Sequence, residues 1–410
     1  MNDKFHEKKI PGNGLTQKGK YFDYALLTVI AALLIFGLIM VYSTSSYSAF
    51  LDTGDSAYYF KKQTVSTLIG IACMIITIFI DYKLWYKLKW LLFGAGLISV
   101  LLVLTPLGME FNGARRWIGI AGISIQPAEI LKLTLIIALA GFVCYSGSNM
   151  KNFKNNVVFC LMAFVAAGMI LLITNNMSTA LILMGISYII LIVGNPKPKW
   201  LIIATVLALV AVAVFLIIFF NNVDSADNFR FRRLLAWRDP ESYASGVGYQ
   251  TLQSLYAIGS GGIFGKGLGK SIQKLGFIPE AQNDMVFSVV CEELGIVGGI
   301  CLIILFVIML WRFMVIANNA PDLFGSMFVV GVMAHIAIQV ILNIAVVTNL
   351  IPNTGVTLPF ISYGGTSVMF LLIEMGIVLN VSRQIQVPVS QSSRESKIKN
   401  VNGGKRKSAR

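Results

Sequence analysis

The stretch WLIIATVLALVAVAVFLIIFF, Trp200–Phe220, runs for 21 residues without a charged, amide or proline position. At about 1.5 Å per residue a helix of that length crosses the roughly 30 Å hydrocarbon core of a bilayer, and it satisfies its own backbone N–H and C=O groups while doing so. Outward from it, comparable apolar windows fall near 22–44, 63–80, 90–106, 128–147, 157–174, 178–194, 200–220, 286–311, 324–348 and 358–381. The chain of 410 residues is 56% hydrophobic and only 13% charged, against about 25% charged in an ordinary soluble protein. A water-soluble globule is excluded. The expected fold class is an all-α polytopic membrane protein with ten transmembrane helices and one large extracellular loop between helices 7 and 8.

The formal charge is +14, and the segments 1–20 and 382–410 supply +10 of it. Basic tails flanking apolar spans are cytoplasmic anchors by the positive-inside rule, so the excess points to a membrane surface and not to nucleic acid. With the N-terminus inside, the inner segments carry 21 basic residues, among them Lys83, Lys87, Lys89, Lys151, Lys154, Lys197, Lys199 and Arg312. Three units result: a cytoplasmic basic tail over 1–21, a ten-helix domain over 22–381, and a cytoplasmic basic tail over 382–410 whose Ser/Lys/Arg-rich composition predicts disorder. The first apolar run lacks a small-residue cleavage site, so no cleaved signal peptide is expected. Cys73, Cys144, Cys160, Cys291 and Cys301 lie scattered in apolar stretches without metal spacing, and read as packing residues.

The loop from about 221 to 285 is far longer than any other connection, which is uncommon unless the segment has a function. It carries Arg230, Arg232, Arg233 and Arg238, then glycines at 259, 261, 262, 265, 267 and 269, and it ends in PEAQND, 279–284. No GxxxxGK[ST] pattern is present, so the glycines indicate tight turning or close backbone approach and not a nucleotide site. Asp284 stands where the loop re-enters the membrane, with Ser288 and Glu292 on roughly the same helical face. A carboxylate there fits a general base or a metal ligand, and equally a helix cap. Glu129 and Lys132, three apart after Pro127, can pair on one helix face; an ionisable pair inside a membrane is either functional or a structural lock. Arg115, Arg116 and Trp117 precede that helix, and both arginine clusters suit an anionic head group or, as readily, lipid phosphates. His335, Gln339 and Asn343 form a polar stripe at four-residue spacing, suited to a lipid-head or ion path or to interhelical hydrogen bonding, and Glu374 is ambiguous in the same way.

Longer motifs then add up to a resemblance. DYALLTVIAALLIFGLIMVYSTSS in the first span, GARRWI at 113–118, QPAEILKL at 126–133, GVGYQTLQSLYAIGSGGIFGKGLG at 246–269, IPEAQNDMVFSVVCEELG at 278–295 and IPNTGVTLPFISYGGTS at 351–367 occur in the order found in the SEDS family (shape, elongation, division and sporulation), which includes FtsW, RodA and SpoVE. The match spans almost the whole ten-helix region. The tails and the PNTGVTLPFISYGG segment look more like the FtsW/SpoVE division and sporulation branch than the RodA elongation branch. One departure stands out: where many members read PDxGTA this chain reads NNMSTA, so Asn176 replaces an acid and Ser178 a glycine.

Such resemblance implies a peptidoglycan glycosyltransferase that polymerises lipid II into glycan strands at the outer face of the bacterial cytoplasmic membrane. Implied partners are lipid II, the growing glycan chain, a class B penicillin-binding protein and other divisome or sporulation proteins, with no nucleic acid. The family's essential loop aspartate falls on Asp284, its ion pair on Glu129 and Lys132, and its outer arginine motif on Arg115 and Arg116. A divalent cation, Mg²⁺ or Mn²⁺, is compatible with Asp284; neither a nucleotide nor a redox cofactor is expected. The substrate-binding set expected around it is Arg115, Arg116, Trp117, Arg230, Arg232, Arg233, Arg238, Ser288, Glu292, His335, Gln339 and Asn343. The rival readings are a lipid II flippase, with the polar stripe lining its path, and a scaffold that recruits division proteins.

Overall fold

The computed structural model describes residues 18–111, 114–120, 123–222 and 229–388. Twelve α-helices follow in order: α1 Tyr24–Thr53, α2 Tyr58–Phe79, α3 Lys83–Leu101, α4 Pro127–Ser146, α5 Phe153–Thr174, α6 Met177–Gly194, α7 Lys199–Asn222, α8 Phe229–Arg238, α9 Tyr249–Gly261, α10 Val286–Asn319, α11 Leu323–Val347 and α12 Gly365–Arg383. Among the described residues ten helices are long and apolar enough to cross a membrane; α8 and α9 are the two that are not. The expected architecture is therefore present, with minor sheets added. Strands β1 (Lys18–Lys20) and β5 (Gln386–Pro388) pair antiparallel, and β2 (Gly108–Phe111), β3 (Ala114–Ile120) and β4 (Ile123–Ile125) form a small meander before α4.

Local chemistry sets the helix ends. The Asp23 side chain accepts from Leu26 N to cap α1, Gly54 closes that helix in the left-handed region, Pro127 opens α4, and the Asn176 and Asp322 side chains cap α6 and α11. Two spans differ from the sequence reading. Helix α1 continues to Thr53, beyond the expected end at 44, because the hydroxyls of Thr44, Ser45 and Thr53 donate back to carbonyls four residues earlier and so do not compete with the helix. Helix α12 starts at Gly365, not 358, since the preceding segment holds Pro352 and Pro359 and turns through positive φ at Gly355 and Phe360. The 221–285 connection is not structureless: α8 and α9 lie within it, and α9 packs along α10.

Helix α4 sits at the centre, packed against α3, α5, α6, α11 and α12, and its span is the most buried of the ten. Helices α2 and α12 approach closely because Gly376 has no side chain; a Cβ there would lie 2.6 Å from the Met74 carbonyl oxygen. Helix α10 breaks at Gly295, with φ of 72°. The glycine-rich segment fills the break: Lys266 N and Gly267 N donate to the carbonyls of Glu292 and Glu293 at 3.0 and 2.9 Å, while Ile296 N and Val297 N donate to Gly262 and Ile263. Those four groups would otherwise bond one another within the helix. A Cβ at Gly265 would stand 2.2 Å from the Glu293 carbonyl oxygen, so the glycines serve backbone approach, as the sequence suggested.

Tyr21 N donates to Ile385 O, and Arg312 grips the buried Asp23 carboxylate with Nε and Nη2 at 3.0 and 2.7 Å. The roots of both tails are thereby tied to the end of α10 on one membrane face. The expectations for residues 1–17 and 389–410 lie outside the described residues.

Candidate functional site

Asp284 lies on a turn that starts at Pro279 and runs into α10. Its position is fixed by the backbone: Tyr363 N donates to the Gln282 carbonyl at 2.8 Å, and the buried Asn343 amide donates from α11 to the carbonyls of both Asp284 and Val356, each at 2.7 Å. The cap of α10 is Met285, with no side-chain cap bond, so Asp284 is not the helix cap. Its carboxyl is partly exposed, and Oδ1 accepts from Gln250 Nε2 at 3.2 Å. Burial in the loop raises its pKa from 3.8 to about 6, with the Glu280 charge adding to the rise; Arg233 and the Gln250 bond pull the other way and lose.

Arg233 on α8 is half-buried and donates from Nη1 to the Asn353 carbonyl at 3.1 Å. Burial lowers its pKa from the usual arginine value, while Asp284 holds it up and Arg116 pushes it down, so the three groups share one electrostatic neighbourhood. Arg116 reaches there from β3, where Nε and Nη2 donate to the carbonyls of Thr174 and Asn175, both at 3.2 Å, at the end of α5. Arg233 thus faces a carboxyl of raised pKa, with Arg116 next to Arg233, on the side of the membrane where the long loop lies. Such a constellation can hold a pyrophosphate and take up a proton.

Other expected site residues fall elsewhere. Arg115 and Arg116 do not act as one cluster: Arg116 is the extra residue of a bulge opposite Met109 and Glu110 and turns to the Thr174 and Asn175 carbonyls, whereas Arg115 is exposed, 3.6 Å from Glu110. Trp117 is half-buried on the same strand, and Arg232 and Arg238 are exposed on α8; the Arg230 side chain lies outside the described residues. Ser288 is buried with its hydroxyl on the Met285 carbonyl. Glu292 faces the glycine-rich loop and not Asp284: Lys266 Nζ stands 2.6 Å from Oε1, and Ser271 Oγ and the N–H groups of Ile272 and Gln273 complete its bonds. Glu292 thereby anchors that loop. Glu293 plays the same part beside it, with Lys274 Nζ at 2.7 Å and Ser43 at 2.7 Å.

The three residues of the polar stripe meet different surroundings. His335 Nδ1 lies 2.9 Å from Glu374 Oε2, both side chains being buried; Gln339 lines a small cavity under the 357–364 segment; Asn343 holds the Asp284 turn. Glu129 and Lys132 form the expected pair at 2.9 Å, with Lys132 2% exposed. Asn176, standing where an acid was expected from the resemblance, caps α6 through its side chain. Gln250, Asn353 and Glu280 were not singled out from the sequence, although all three lie inside the quoted motifs.

A cation at Asp284 would need more ligands than the chain supplies. Among the described residues no group of three His, Cys, Asp or Glu side chains converges. The Glu280 charge acts on Asp284 across the turn and raises its pKa.

Comparison with known proteins settles the family. The model of the FtsW/RodA/SpoVE family, described as cell cycle protein, matches residues 24–387. The chain belongs to this family. It is 39% identical to stage V sporulation protein E of Bacillus subtilis strain 168 over 370 residues, covering 90% of this chain and 99% of that one. It is 36% identical to the probable peptidoglycan glycosyltransferase FtsW of Trichlorobacter lovleyi, covering 89% and 94%. The fold is similar to that of Thermus thermophilus RodA, with a TM-score of 0.65 and 26% identity over 89% of this chain and 97% of the other. A chain from a structure described as structural coordination of polymerization and crosslinking by a peptidoglycan synthase complex aligns with a TM-score of 0.73 at 27% identity, covering 89% and 98%. FtsW/RodA/SpoVE membership and the ten spans make this a multi-pass membrane protein.

Proposed function

We propose that this protein polymerises lipid II into glycan strands at the outer face of the cytoplasmic membrane, working with a class B penicillin-binding protein in septum or spore-cortex synthesis. The observation that carries the reading is Asp284, a carboxyl of raised pKa fixed by Gln250 and Asn343 and faced by Arg233, with Arg116 next to Arg233. In the proposed reaction the 4-hydroxyl of an incoming lipid II attacks the anomeric carbon of the growing chain, and undecaprenyl pyrophosphate departs. Asp284 takes the hydroxyl proton, and a carboxylate with a pKa near 6 is charged at neutral pH yet basic enough to accept it. Arg233 and Arg116 stabilise the pyrophosphate charge as it develops. A divalent cation held by Asp284 and Glu280 would supply further charge neutralisation at the same phosphates.

Purified protein given lipid II in detergent, with its penicillin-binding partner added, is expected to yield glycan polymer, and a flippase or scaffold would yield none. In the same assay Arg233→Ala and Arg116→Ala are each expected to lose about tenfold or more in kcat/KM, in line with roughly 1.5–3 kcal/mol for a hydrogen bond to a charged group. Unchanged kinetics in both variants and in the double variant would remove the arginines from the pyrophosphate.

The reading requires the Asp284 side to face outward and both termini to be cytoplasmic, as the basic tails and inner loops favour. With the five native cysteines replaced, an impermeant thiol reagent applied to intact cells should label Ser242→Cys in the long loop and leave Asn319→Cys, at the far end of α10, unlabelled. The reverse pattern would invert the topology.

A further inference from the structure

We infer that the glycine-rich segment after α9 is a membrane-contacting element: its apolar side chains enter the leaflet on the long-loop side, and the partner of this surface is the lipid bilayer itself. The inference goes beyond the proposed reaction and does not depend on it. Phe264 is 81% exposed and Ile263 63%, and Leu268 and Ile272 are exposed as well. Four large apolar side chains held open within ten residues mark an interaction surface.

The height of the segment says what that surface meets. On the far face Arg312 pairs with Asp23, flanked by the exposed rings of Tyr24 and Trp311, as at a membrane boundary. Helices α1 and α10 leave that face together. Ser43 stands 20 residues along α1 from Asp23, and Glu293 stands 19 residues along α10 from Arg312. The two side chains meet, Ser43 Oγ donating to Glu293 Oε1 at 2.7 Å. At about 1.5 Å per residue both routes measure roughly 30 Å, the thickness of the hydrocarbon core. Glu293 also receives Lys274 Nζ on its carboxylate at 2.7 Å and Gly267 N on its carbonyl at 2.9 Å. The glycine-rich segment therefore lies level with the second hydrocarbon boundary and not out in the water above it.

Two further observations agree. Ile296 N and Val297 N of α10 donate to the carbonyls of Gly262 and Ile263 at 3.0 and 3.2 Å, and Ile296 and Ile300 are exposed on that span. The apolar surface of the loop thus continues the lipid-facing surface of α10. Irregular backbone at the edge of hydrocarbon must have its polar groups paired. Gly265 N donates to Gly261 O at 2.9 Å, Lys270 N to Gly267 O at 3.1 Å, and Lys266 N and Gly267 N to the α10 carbonyls. The charges are arranged to match. Lys266 and Lys274 are neutralised by Glu292 and Glu293, while Lys270 is exposed beside the apolar tip, at the level of lipid phosphates. From Glu292 up to the start of α10 at Val286 is about 9 Å of helix, which sets the Asp284 turn at head-group height.

The depth can be read without turnover. With the five native cysteines replaced, Phe264→Cys and Leu268→Cys are each labelled with bimane, and the protein is placed in nanodiscs of phosphatidylcholine and phosphatidylglycerol. Exchanging the phosphatidylcholine for its acyl-chain-brominated form should remove most of the fluorescence at both positions, and aqueous iodide should remove little. Ser242→Cys, exposed in the same connection, should respond in the opposite way. Iodide quenching at 264 and 268 equal to that at 242, with bromolipid without effect, would overturn the inference. So would bromolipid quenching that disappears when a class B penicillin-binding protein is added, since the surface would then belong to that protein. A failure to polymerise lipid II is a separate result and leaves these readings unchanged.

Discussion

Purified Asp284→Asn protein is expected to polymerise lipid II about 10²–10⁴-fold more slowly than the native protein, the usual contribution of a general base, while melting at a higher temperature above pH 6. The two effects have one origin. The loop holds a carboxylate against burial and the Glu280 charge, so its pKa of about 6 lies above the 3.8 of an ordinary aspartate. A carboxyl whose folded pKa is raised contributes stability that is complete below the unfolded value and is lost as pH rises through the folded one. The native protein is therefore destabilised above about pH 6 by at most about 3 kcal/mol, and by less given the partial exposure of the side chain. Asn removes that charge, so its melting advantage should open between pH 4 and 7 and then level off. Native activity should fall as pH drops below about 6, because the base becomes protonated. A well-folded Asn variant with near-normal polymer would sink the catalytic assignment. Native activity that survives chelation would keep the base and remove the cation.

The spans were legible because bilayer length and apolar composition leave few alternatives, and their errors have local causes. The first span reads as ending at 44, yet the hydroxyls of Thr44, Ser45 and Thr53 bond back to the helix and α1 runs on. The site was legible in its charged members and not in their geometry. Arg115 and Arg116 read as one cluster, but a bulge at Arg116 separates their directions and leaves only Arg116 near Arg233. Asp284, Ser288 and Glu292 read as one helical face, but Asp284 precedes the helix and Glu292 is taken up by a loop whose course depends on the Gly295 break. Gln250 and Asn353 carry no charge and sit at the start of α9 and in a loop, so their link to Asp284 is visible only once the 246–250, 279–284 and 351–355 segments are seen to meet.

The second large effect is expected at the centre of the bundle. Lys132 and Glu129 lie in the first turns of α4, the helix that touches most of the others, and the lysine is 2% exposed. Taking two charges out of water is costly, so the pair need not stabilise the fold relative to apolar residues, but breaking it leaves one charge without compensation. Lys132→Ala is accordingly expected to cost about 3–5 kcal/mol if the carboxylate stays charged, read as a large fall in melting temperature and in the yield of folded protein. Glu129→Gln in the Lys132→Met background removes both charges and should recover most of that loss. Polymerisation by the recovered double variant then separates the two roles of the pair. Native-like turnover would make it a lock that holds α4 in place, whereas a stable but inactive double variant would mean that the charges themselves act on the reaction. Normal melting of Lys132→Ala would contradict the lock.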